Sequence, residues 1–151
     1  MQVNILLKLL FSRSSPFFNI LYNRSLVTDS VDAFFETMDS CAYMMIAGES
    51  ECTDAVFEEI EKTLRHIPAQ WLTEEDFMRV KRVMYAENVR ILDSTESIAA
   101  EISDAALHGL TLWDMSDILR EITFADIQKL AAHYFEDKEF VRVVILPEDR
   151  T

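Results

Sequence analysis

LLKLLFSRSSPFFNILYNRSLVTDS, Leu6–Ser30, is the stretch whose reading decides the fold. The apolar run Ile5–Phe11 carries a single charge, Lys8, in its centre, and the pattern predicts a core helix over Asn4–Phe11. Ser14-Ser15-Pro16 ends it, because the residue before a proline disfavours helical angles. Phe17–Asn23 then makes two helical turns with Phe17, Phe18, Leu21 and Tyr22 as the apolar side, and a polar turn leads into a strand. The opening run is too short to cross a bilayer. It also lacks the basic flank and small-residue cleavage site of a secretory signal, so no membrane role and a cytoplasmic location are expected.

Downstream, Val31–Met38 and Cys41–Ala47 are aromatic and apolar segments separated by Asp39-Ser40, the pattern of an antiparallel hairpin. The second is apolar almost throughout, which predicts a central strand covered on both faces. A helix follows with Val56, Phe57, Ile60, Leu64 and Ile67 on one face and ends at Pro68. Thr73, ahead of Glu74, Glu75 and Asp76, predicts the start of a helix that buries Phe77, Val80, Met84 and Ile91. Ser94 opens another with Ile98, Ile102 and Ala105 inward, closed by Gly109. Trp113–Ile122 and Phe124–Phe135 read as two more, the last capped by Thr123, and FVRVVIL, Phe140–Leu146, as a final strand. Helices, a hairpin, a run of helices and one strand define an α+β fold: a largely antiparallel sheet with a helical layer on one face, in a single domain over 1–151.

The chain has 151 residues, of which 14 are basic and 27 acidic, a net charge of −13. That balance argues against a nucleic-acid partner, which selects a basic face. Two cysteines without a CxxC spacing fit a reducing compartment. The histidines offer little chemistry. His66 and His108 sit at predicted helix ends. His133-Tyr-Phe-Glu136 has the first four positions of H-x-x-E-H, but Asp137 stands where the second histidine must be. An enzyme built on His133 and Glu136 is therefore a minor reading. Ser14 and Ser15 lack a nucleophile elbow, and both glycines are isolated, so there is no phosphate loop. No catalytic residue and no metal ligand set are assigned.

The segments LLFSRSSPFFNILYNRSLVTDS, AYMMIAGES and LDSTESIA, with the helix ITFADIQKLAAHYF, resemble in their order the insulinase-like (pitrilysin) zinc metallopeptidases. The likeness runs over Leu6–Leu146, is to the non-catalytic C-terminal half, and is strongest to the bacterial processing-peptidase-like branch. It implies a clamshell of two related halves, with zinc held in the other half through H-x-x-E-H and a distant Glu. No cofactor is then expected in this chain. The partner is a metal-bearing half or subunit, or a second copy, with a peptide as the molecule handled. The family's second half contributes an Arg and a Tyr to substrate after its aromatic helix. Here Tyr22 stands about where the Arg would be, Arg24 is offset, and Thr28 or Asp29 replaces the Tyr, which leaves Tyr22 and Arg24 as the substrate-contact candidates. The resemblance also implies that strands precede Met1 in a complete half, and that their loss would leave an uncovered edge. A silent portion of a peptidase is the leading reading. A structural or interaction protein of the same fold, handling no peptide, is the alternative.

Overall fold

A computed structural model describes residues 1–29, 31–38 and 41–146. Helix α1, Gln2–Phe11, is its centre: Val3, Ile5, Leu6, Leu7, Leu9, Leu10 and Phe11 are all buried. Each such side chain is worth about 1.5–3 kcal/mol when withdrawn from water, so α1 is enclosed by its neighbours and cannot be a surface helix. Those neighbours are α2 (Pro16–Asn23), strand β1 (Asp32–Met38), α4 (Glu74–Ile91) and α7 (Phe124–His133).

The break between α1 and α2 is built on Ser15. Its buried hydroxyl donates to the Leu10 carbonyl at the end of α1 and accepts from the Phe18 N–H at the start of α2, 3.0 Å away. One side chain thereby satisfies an orphan group on each helix. Phe17 follows into the core, edge-on to Phe11 and stacked on Trp71.

Strands β1 and β2 (Cys41–Ala47) pair antiparallel in the register Asp32↔Ala47 to Met38↔Cys41. The primary amide of Asn4, on α1, accepts from the Phe35 N–H (2.9 Å) and donates to the Phe35 carbonyl (3.4 Å). It occupies both backbone groups of β1 as a neighbouring strand would. The expectation of a central β2 is corrected here: among the described residues the sheet has two strands, and only Met44 and Ile46 of β2 are half-buried while the other five residues are exposed. Apolar composition alone cannot distinguish a covered strand from one whose outer face is bare.

Helices α3 (Thr53–Arg65), α4, α5 (Thr95–Leu107), α6 (Asp114–Glu121) and α7 form the helical layer. Thr73, Ser94 and Thr123 each accept a helix-opening amide, and Thr123 with Asp126 completes a capping box. At the end of α5 the Leu110 N–H reaches the Ala105 carbonyl and the Gly109 N–H the Ala106 carbonyl, with Gly109 at φ 69°. This is the left-handed helix stop expected of that glycine. Lys81 closes α6 by donating to the Arg120 and Ile122 carbonyls at 3.0 and 2.8 Å, and this burial lowers its pKa. Ile102 is half exposed, contrary to its inward assignment, because α5 packs against α4 away from the main core and buries only Ala105.

The second correction concerns Phe140–Leu146. The segment forms no strand pair among the described residues. It is held by side chains instead. Arg142 donates to Glu61 of α3 at 3.1 Å and lies over the Phe57 ring, and Arg65 lies 5.0 Å from the Phe140 ring centre. Val141 and Val143, on either side of Arg142, are 88% and 74% exposed, and Ile145 is 92% exposed. Val141, Val143 and Ile145 are more exposed than Arg142 and Val144 between them, a strand-like alternation with no strand paired to it among the described residues.

The Ser15 hydroxyl gives a direct test. Ser15→Ala should cost about 1–2 kcal/mol in urea unfolding, since a cap is lost and a buried carbonyl is left unpaired. Ser14→Ala, at an exposed position, should stay within about 0.5 kcal/mol.

Candidate functional site

The two residues implicated by resemblance lie at the end of α2. Tyr22 is 55% exposed, its ring stacked on Phe18 with centroids 6.1 Å apart. Arg24 donates to Glu59 of α3 at 2.8 Å. The turn between them is a left-handed helix stop: the Leu26 N–H reaches the Leu21 carbonyl, the Ser25 N–H reaches the Tyr22 carbonyl, and Ser25 sits at φ 57°. A serine in that conformation is strained, since its Cβ crowds the backbone. The stop turns Arg24 toward α3. Thr28 and Asp29 are exposed, and Asp29 is taken up by an ion pair with Arg13. The structure thus brings Tyr22 and Arg24 to one exposed corner, with Arg24 already engaged by a carboxylate of the same chain.

His133 and Glu136 stand at the end of α7, Nδ1 to Oε1 3.2 Å, both largely exposed. Among the described residues no group of three or more His, Cys, Asp or Glu is placed to hold a metal ion. His66 and His108 are exposed at the C-caps of α3 and α5, in the helix-end positions predicted for them.

A third polar constellation was legible only as an oddity in the sequence. Asn4 and Lys8 lie one turn apart on α1, each half-buried amid apolar neighbours. Lys8 Nζ donates to Glu87 Oε1 of α4 at 2.9 Å, across 79 residues of chain. The signal that could have found it is Lys8 in the middle of ILLKLLF. A charge on a helix buried all round needs a polar exit, and that exit is the seam between α1 and α4.

Farther out, α4, α5 and α6 enclose a shallow groove of about 260 Å³ that includes Tyr85, Val89, Leu92, Glu101 and Trp113. The Asp117–Arg120 pair on its rim is closed at 3.3 Å.

With this geometry in view, the relatives become informative. No family model matches the chain. The uncharacterized zinc protease YmfH of Bacillus subtilis (strain 168) is 24% identical over 130 residues, which is 86% of this chain and 30% of YmfH. Three solved structures share the fold. An M16-like peptidase from Alicyclobacillus acidocaldarius superposes with TM-score 0.74 at 19% identity, over 87% of this chain and 32% of that one. A zinc protease from Bordetella pertussis Tohama I gives 0.72 at 18%, over 87% and 76%. The inactive peptidase domain of a zinc protease from Bordetella parapertussis gives 0.77 at 14%, over 99% and 86%. The chain is thus similar in sequence to part of a zinc protease and shares its fold with parts of M16-like peptidase and zinc protease structures. The chain spans about a third of the length of YmfH and of the Alicyclobacillus protein.

Two measurements probe this region. Ser25→Gly should stabilise the chain by about 1 kcal/mol by relieving the left-handed strain, read as a raised urea midpoint with unchanged slope. The second concerns Glu61, whose carboxyl is held below the ordinary glutamate value by hydrogen bonds from Arg142, then Arg65. A depressed carboxylate stabilises above its unfolded pKa and loses that contribution as pH falls through the folded one. Backbone order over Val141–Ile145, read by nuclear spin relaxation, should therefore fall on acidification through that window, and Glu61→Gln should reproduce the loss at neutral pH.

Proposed function

We propose that this chain is the catalytically silent portion of an insulinase-like zinc peptidase, corresponding to the C-terminal half. It contributes chamber closure, peptide contact or assembly to a metal-bearing half in the cytoplasm. The observation that carries this is Phe140–Leu146: a strand-like segment fixed to α3 by Arg142 and Phe140, yet with Val141, Val143 and Ile145 facing solvent. Backbone with no strand partner among the described residues, beside exposed β-branched side chains, is an association edge. The described residues supply a fold shared with peptidases and no metal-holding group, which supports a role beside a catalytic part. Zinc would then reside in the partner. Within this reading Tyr22 is the better peptide contact, since its ring stays exposed beyond the stack on Phe18, while Arg24 gives its guanidinium to Glu59. That commitment of Arg24 favours, as a second reading, a structural or interaction protein of the same fold that handles no peptide.

The test is association. Mixed with a separately produced half of a zinc protease that carries H-x-x-E-H, the chain should form a complex visible by sedimentation. Val143→Lys with Ile145→Lys should weaken it at least tenfold, about 1.4 kcal/mol. A chain that stays monomeric and takes no such partner at tens of micromolar, a concentration at which weak specific contacts register, overturns the assembly role.

A further inference from the structure

We propose that the outer face of the β1–β2 hairpin is a docking surface for a cationic amphipathic helix of a partner protein. The inference goes beyond the function read above and does not depend on a metal-bearing half.

The register fixes what this face contains. Side chains alternate along each strand, so Asp32, Phe34 and Glu36 share one side with their partners Ala47, Met45 and Tyr43, and all six are exposed. The opposite side packs on the core through Ala33, Phe35, Met44 and Ile46. A two-stranded ribbon is marginal by itself, and layered folds cover a bare sheet face with a helix. The dimensions suit one helix. Two strands about 4.8 Å apart make a ribbon about 10 Å wide, the diameter of an α-helix. The seven residues of each strand run about 23 Å, the length of about 15 helical residues.

Charge selects the kind of helix. Neither DAFFETM nor CAYMMIA contains Lys, Arg or His, while Asp32 and Glu36 stand on either side of Phe34, about 13 Å apart. Neither carboxylate forms an ion pair among the described residues. Glu36 accepts the Tyr43 hydroxyl at 2.6 Å, which holds it beside the ring and leaves its charge unanswered. An exposed Phe–Met–Tyr cluster between two such carboxylates complements an apolar helix stripe bordered by Lys or Arg. The thioether adapts to the stripe, and the rings and carboxylates receive the cations.

Fluorescence anisotropy on the full chain tests this, with a fluorescein-labelled leucine–lysine amphipathic helix of about 15 residues as the probe. The probe should bind, and Asp32→Asn with Glu36→Gln should weaken it by about tenfold or more. Both substitutions nearly keep the side-chain shape at exposed positions, and circular dichroism checks the fold. Met45→Ser, which leaves the charge unchanged, should weaken binding too. Glu74→Gln with Glu75→Gln, exposed on α4, removes the same charge elsewhere and should stay within about twofold. Equal losses from the two carboxylate pairs overturn the proposal, because the attraction would then belong to the net charge of −13 and not to the hairpin. So does a parent chain that ignores the probe at roughly tens of micromolar, where weak specific contacts register. A probe isomer with alternating D-residues forms no helix, and equal binding of it overturns the helical occupant in favour of an extended cationic peptide. Val143→Lys with Ile145→Lys should leave probe binding intact even where it abolishes complex formation through Phe140–Leu146, so the two ideas fail separately.

Discussion

The enclosure of α1 governs the rest of the structure. A ten-residue helix with seven buried side chains must be surrounded, and α2, β1, α4 and α7 are the elements that surround it. Enclosure forces a solution for every polar atom that the helix carries. Asn4 spends its amide on the backbone of β1, Lys8 escapes along the seam to Glu87, and the carbonyl of Leu10 is met by Ser15. Each of these contacts fixes a neighbour: β1 in register, α4 in rotation and α2 in its angle of departure. The hydrophobic effect supplies the driving force but no direction, so the polar contacts are what make the arrangement specific.

The periphery obeys weaker rules. Helix α3 acts as a rail on which both ends of the chain are tied by ion pairs, Arg24 to Glu59 near the start and Arg142 to Glu61 near the end. Such pairs are worth little individually; the α2 corner is placed by its buried Phe17, Phe18 and Leu21, while Phe140–Leu146 depends on Arg142 and Phe140 against α3. An aliphatic strip held in place by side chains, with its outer face bare, is the feature on which the proposed association rests. Exposed Leu107 and Trp113, 84% and 66%, show a second apolar area on the helical side, and nothing in the structure shows what covers it.

Much of this was legible in the sequence because it is local. Breakers, caps and periodicity act within a few residues, and Pro16, Thr73, Ser94, Gly109 and Thr123 act as their chemistry predicts. The order of elements, the hairpin and the central helix follow from them. The second helix stop, at Ser25, has no sequence signal because it uses no glycine; only the fold shows it, in a positive φ and the Leu26 N–H to Leu21 carbonyl bond.

What the sequence by itself determined, then, is the identity and order of the elements, since these depend on short-range sterics and hydrogen bonding. What only the tertiary structure decided is which charges meet and which apolar faces stay uncovered. FVRVVIL reads as a strand in isolation, but strand pairing needs a second backbone, and whether one lies alongside is a property of the assembled chain. The same holds for Lys8. The sequence marks it as a lone charge in an apolar run, while the partner 79 residues away that gives it meaning is brought within 2.9 Å only by packing α4 against α1.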